Sequence, residues 1–121
     1  LEADIAALLL PHRDKTFLTY HDAYQYFETR FEMQSSGSVA LSDASDPGPA
    51  HLLELQDMAK AKGITCVFSE PQFNPKRITA IFGDHAAVHL DPIGLNLDPG
   101  APLYAELMRT LATNMVGCLG R

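Results

Sequence analysis

Three residues in this 121-residue chain have the chemistry and the placement to hold a metal ion: His21, Glu70 and Asp91. Each lies just after a short segment of strand character. His21 comes after Thr16-Phe17-Leu18-Thr19-Tyr20, Glu70 lies in Ser69-Glu70-Pro71-Gln72 after Ile64 to Phe68, and Asp91 precedes Pro92 after Ala87 to Leu90. A neutral imidazole is the usual nitrogen donor to zinc, at about 2.0–2.1 Å, and carboxylates supply the oxygens. Each residue also has a plainer reading. His21 and Asp22 suit a helix start, Asp91-Pro92 suits a turn, and Glu70 suits a solvated rim. Glu70 has a further option, which is to orient His21 through its second ring nitrogen, as carboxylates behind metal-bound histidines do.

The remaining histidines, His12, His51, His85 and His89, have no ligand spacing and read as surface or capping residues. There is no His-x-x-x-His pair and no Cys-x-x-Cys. Signals for catalysis are equally sparse. Tyr20-His21-Asp22-Ala23 stands where a glycine-rich phosphate loop would follow the first strand, and no Gly-x-Ser-x-Gly elbow occurs. A His–carboxylate pair alone is weak evidence for acid–base chemistry.

The elements that would position these groups alternate along the chain. Leu1 to Leu10 has Leu and Ala at helical spacing and stops at Pro11, as the last turns of a helix would. A strand is expected at 16–20. A helix capped by Asp22, with Ala23, Phe27, Arg30 and Phe31 on its stripe, should follow. A second strand is expected at 39–41, then a polar loop, with Asp46-Pro47 suiting a helix start. The next helix should run from Pro49 to Lys62, with Leu52, Leu55 and Ala59 inward and Gly63 as its stop. Ile64 to Phe68 reads as a buried parallel strand. Asn74-Pro75 caps a helix carrying Ile78, Ile81 and Phe82. Ala87 to Leu90 is the fourth strand, and a last helix from Pro102 lines up Leu103, Leu107, Leu111, Met115 and Cys118. Strands alternating with helices imply βαβ crossovers: an α/β fold with a four-stranded parallel sheet flanked by helices. Such sheets bind ligands at the carboxyl ends of their strands, where His21, Glu70 and Asp91 fall.

Composition narrows the function classes. The chain is 46% hydrophobic and 20% charged, the balance of a globular domain of ordinary size. Its net charge of −6 and scattered basic residues argue against a nucleic-acid-binding or anionic-membrane surface. Opening at Leu1 in mid-pattern, it reads as a processed chain or a piece of a longer one. Its two cysteines, Cys66 in the third strand and Cys118 on the last helix, both face a core. They are either two buried thiols or a bridge closing 52 residues, and a bridge would place the chain in an oxidising compartment.

The motifs resemble those of a known family. Thr19-Tyr20-His21-Asp22-Ala23-Tyr24-Gln25-Tyr26-Phe27 is similar to the histidine-bearing segment of ZnuA-type zinc-binding proteins of bacterial ABC transporters. Ser69-Glu70-Pro71-Gln72-Phe73 and Leu90-Asp91-Pro92-Ile93-Gly94 resemble that family's other two signatures, in the same order and spacing. The tail Gly117-Cys118-Leu119-Gly120-Arg121 also resembles theirs.

The resemblance implies two α/β lobes joined by a long helix, with zinc held between them. This chain would be the C-terminal lobe (12–121), preceded by the end of the linking helix (1–11). His21 and Asp91 would be zinc ligands, Glu70 a supporting group, and Cys66–Cys118 a disulfide. The implied function is periplasmic zinc capture and delivery to the permease of an ABC importer, with no bond made or broken in a substrate. His21 stands where manganese and iron relatives often carry Glu, which tilts the metal toward zinc. Two of the usual four ligands are present, so this chain is expected to bind zinc weakly, with water, the missing N-terminal lobe or a second copy supplying the others. Three competing readings are a manganese or iron carrier lobe, a small α/β enzyme with His21 and Glu70 as its acid–base pair, and an adhesion module.

Overall fold

The computed structural model describes residues 1–40, 47–83 and 87–121, together with every side chain in them except those of Arg77 and Ala87. In order, the chain forms α1 (Glu2–Leu9), a 3-10 turn (Leu10–His12), β1 (Thr16–Thr19), α2 (Gln25–Phe31), β2 (Gln34–Ser38) and α3 (Pro49–Lys62). It continues through β3 (Val67–Ser69), α4 (Lys76–Phe82), β4 (Ala87–His89) and α5 (Leu103–Leu119). The strands build a parallel sheet in the order β2-β1-β3-β4. Among the described residues, no helix is long and apolar enough to cross a membrane.

Period-two alternation sorts the sheet into two cores. Phe17 and Phe68 point to one face, where they meet Ile5 and Leu9 of α1, Phe27 and Phe31 of α2, and Leu111, Ala112 and Met115 of α5. Leu18 and Val67 point to the other, against Leu55 and Ala59 of α3 and Ile78 of α4. Helices therefore cover both faces, as buried parallel strands require.

Most expected elements stand where the sequence places them, and α3 matches at both ends. Proline at its first position needs no N–H partner, and Gly63 ends it in the left-handed conformation at φ 66°. The second strand differs. It lies at Gln34–Ser38, a small polar edge strand without β-branched residues, rather than at 39–41. Val39 and Ala40 still extend its ladder, donating to Thr19 O and Tyr20 O at 2.9 and 2.7 Å. Gly37 is there for packing, since a Cβ at that position would stand 3.1 Å from Leu55 Cδ2 of α3. Leu41 and the Asp46 half of the expected helix start lie outside the described residues, as does His85. The capping of α2 also differs. Its N-cap is Tyr24, without a side-chain cap bond, so Asp22 lies two residues too early for that role.

The two cysteines are bridged. The Cys66–Cys118 disulfide ties the residue just before β3 to the last turn of α5 inside the first core, across a sequence separation of 52. Closing a loop of that length restricts the unfolded chain by about 4 kcal/mol in the chain-entropy model. Denaturant unfolding of a Cys66→Ala/Cys118→Ala double variant should accordingly show a loss of about 2–5 kcal/mol relative to the oxidised parent. An unchanged midpoint would show that the two cores hold this junction without the bridge.

Candidate metal centre

The strand order puts the topological switch point between β1 and β3. From β1 the chain turns outward to β2, and from β2 it crosses back to β3 on the other side. Open α/β sheets bind ligands in the crevice outside the carboxyl ends of the strands at this position. His21 follows β1 and Glu70 follows β3, and here their side chains meet: His21 Nδ1 contacts Glu70 Oε2. Backbone pairing sets this up, with Tyr20 N–H donating to Phe68 O at 2.7 Å just before the two residues leave the sheet.

Glu70 is fully buried, so it is no solvated rim carboxylate. Burial pushes its carboxyl above the usual carboxylate range, against the opposing pull of His21, Gln72 and Tyr24. Its Oε1 accepts from Gln72 Nε2 at 2.8 Å. His21 is held on a second side by Phe73, whose ring meets the imidazole edge-on at 5.4 Å and stacks on Tyr20 at 4.4 Å. Glu70 and Phe73 come from one tight turn, closed by Phe73 N–H donating to Glu70 O at 3.1 Å. With Nδ1–H donating to a carboxylate, the imidazole's other nitrogen, Nε2, is the one that carries a lone pair for a metal.

Asp91 is engaged with its own loop. Its Oδ1 accepts Leu95 N–H and its Oδ2 accepts Asn96 N–H, each at 2.9 Å. Burial holds the Tyr24 phenol well above its ordinary value, with the charges of Glu70 and Asp91 adding to the effect, and its hydroxyl is buried without a hydrogen-bond partner among the described residues. Each Asp91 oxygen keeps a further lone pair, so the carboxylate is fixed in place while still able to coordinate. Among the described residues, no group of three or more His, Cys, Asp and Glu side chains stands ready to enclose a metal ion.

Two of the other described histidines make local bonds, while the buried Nδ1 of His12 has no hydrogen-bond partner among the described residues. His51 Nε2 lies 2.8 Å from Ser38 O, and His89 Nδ1 lies 2.9 Å from Ser69 Oγ. Sequence reasoning gave no role to Tyr24, Gln72 or Phe73, although all three sit in the quoted motifs. Their signal was proximity in sequence to His21 and Glu70, and it becomes readable only once β1 and β3 are known to be neighbours.

Residues 1–118 match a family model described as zinc-uptake complex component A, periplasmic. The chain belongs to this family. It is 46% identical over 123 residues to the high-affinity zinc uptake system protein ZnuA of Brucella suis, covering 100% of this chain and 37% of that protein. The corresponding protein of Paracoccus denitrificans is 36% identical, with 99% and 38% covered. Among solved structures, a mutant of the laminin-binding adhesin Lmb of Streptococcus agalactiae superposes with a TM-score of 0.77 at 28% identity, covering 98% of this chain and 45% of that one. The chain thus spans little more than a third of the length of its ZnuA relatives. The ZnuA family comprises periplasmic transport components of zinc uptake, not enzymes.

The buried carboxylate makes a stability prediction. Replacing Glu70 by the isosteric Gln removes a charge that burial disfavours and keeps the shape, so the metal-free chain should become more stable at neutral pH. Thermal unfolding would read this as a raised midpoint. A fall would show that the His21–Glu70 contact outweighs the cost of burying the carboxylate.

Proposed function

We propose that this chain is the C-terminal lobe of a periplasmic zinc carrier, with residues 1–11 the end of the helix that links it to an N-terminal lobe. His21 is its principal zinc ligand, through Nε2, and Asp91 its second. Glu70 stands behind His21 and fixes both the tautomer and the plane of the ring. The observation that carries this reading is the His21–Glu70 contact at the switch point of the sheet, with Glu70 fully buried. A buried carboxylate on Nδ1 is the arrangement that raises the basicity of a metal-binding imidazole. Family membership supports zinc as the cargo, and an imidazole at position 21 suits zinc better than manganese, which prefers oxygen.

Two ligands leave a four-coordinate zinc half satisfied. In the whole protein the N-terminal lobe supplies the rest, and an ABC importer's permease receives the metal. Both are parts of the same proposal. Zinc here is cargo, so the chemistry is coordination and release.

Calorimetric titration of zinc into this chain under non-reducing conditions tests the reading. The parent should bind weakly, His21→Ala should lose that binding, and Glu70→Gln should weaken it by about 10- to 100-fold. The Gln amide can turn its NH2 toward Nδ1, which selects the tautomer whose Nε2 carries the proton and cannot ligate. Equal binding by parent and His21→Ala would remove His21 from the site.

A further inference from the structure

Phe73 joins the imidazole of His21 to the second core. Its ring centroid lies 5.4 Å from that of His21 with the planes at 71°, and 4.4 Å from that of Tyr20 with the planes at 18°. Both are favourable arrangements, the first edge-to-face and the second stacked. Tyr20 is buried in the second core with Leu18, Val39, Val67 and Ile78, and Phe73 packs against that cluster. The stack therefore gives the Phe73 ring a fixed support.

The sequence delivers this ring and the Glu70 carboxylate together. Residues 70–73 form a turn in which Phe73 N–H donates to Glu70 O at 3.1 Å. Pro71 stands at its second position, where the pyrrolidine ring presets the backbone angle that the turn needs. One stiff turn after β3 thus brings two groups to His21: Glu70 Oε2 at Nδ1, and Phe73 against the ring. They act differently. The contact at Nδ1 selects the tautomer and holds one corner of the imidazole, while Nε2, across the ring, can still swing through an arc about that corner. Coordination tolerates little of this, because a ligand must stay within about 0.5 Å of its productive position. A swing toward Phe73 meets a ring that cannot give way, since Tyr20 stands behind it. We propose that Phe73, supported by Tyr20, is a positioning residue for zinc: it limits the swing of the His21 ring about its Glu70 contact. The inference rests on the zinc reading above and adds an apolar support to the same ligand. Through this contact the rigidity of the second core reaches the imidazole.

The test is zinc titration of this chain with Phe73→Leu, Tyr20→Leu, the pair, and Tyr20→Phe, which keeps the stacked ring. Leu55→Val, which trims the same core where α3 lies over Gly37, is the control for lost stability. Phe73→Leu and Tyr20→Leu should each weaken zinc binding by about tenfold, the lower end for losing a ligand's outer support. The pair should lose little more than either alone. Tyr20→Phe should bind as the parent does, and Leu55→Val should unfold at a lower temperature with unchanged affinity. Carbon-13 NMR relaxation of the His21 ring in the metal-free chain supplies a second readout. The order parameter of its Cδ2–H bond should fall in Phe73→Leu and hold in Tyr20→Phe and Leu55→Val.

Unchanged zinc affinity in Phe73→Leu overturns the proposal, as does an equal loss in Leu55→Val, which would mark the effect as one of core stability. Fully additive losses in the pair would show that Tyr20 does not act through Phe73, and also overturn it. So would an unchanged order parameter in Phe73→Leu. Zinc binding that survives in His21→Ala is a separate result: it defeats the metal reading and leaves the order parameter to decide the hold of Phe73 on the ring.

Discussion

A carboxylate with no access to water sits at the switch point of this sheet, and much of the structure answers to it. Glu70 is held there by β3, whose neighbours on both sides leave its end no room to turn outward. Burial disfavours its charge, so the protein surrounds it with donors: His21 on one oxygen and Gln72 on the other. Such an arrangement is costly for stability alone, since well-packed apolar groups commonly do as well as a buried ion pair. Its use lies in what it does to His21. A carboxylate on Nδ1 leaves Nε2 as the basic nitrogen, and Phe73 edge-on to the ring settles the plane.

The two cores serve that geometry from opposite sides. The first carries Tyr24 and the disulfide, so the helices α1, α2 and α5 are locked to β3 just ahead of Glu70. The second carries Tyr20, with Phe73 packed against it, and so holds the aromatic pair beside the imidazole. The ends of β1 and β3 are where both cores meet the rim. Preorganisation of this kind holds the groups at the rim in fixed positions.

Much of the fold was legible because its signals are local. Proline at the start of α3 and Gly63 at its end place that helix to the residue, and the apolar runs of β1 and β3 mark the two central, buried strands. Strand β2 was not legible in place. Gln34-Ser35-Ser36-Gly37-Ser38 lacks apolar alternation because it lies at the edge and must leave room for Leu55. Asp22 looked like a cap by residue type, yet the chain spends two more residues leaving the rim before α2 begins. The candidate site was legible as three residues after three strands. Their partnership was not, because adjacency of β1 and β3 depends on strand order, which no local pattern encodes. The Asp91 bonds to Leu95 and Asn96 likewise depend on the path of a loop with little periodicity.

The family resemblance read from the three motifs and the match over residues 1–118 agree on the ZnuA family, and two of those motifs meet at the His21–Glu70 contact. The central claim is that His21 takes zinc through Nε2 while Nδ1 stays on Glu70. Nitrogen-15 NMR of the ring in the presence and absence of zinc tests it most directly. The account predicts that zinc moves the Nε2 resonance and leaves Nδ1 protonated toward Glu70. A zinc-induced change at Nδ1, or none at either nitrogen, would contradict it.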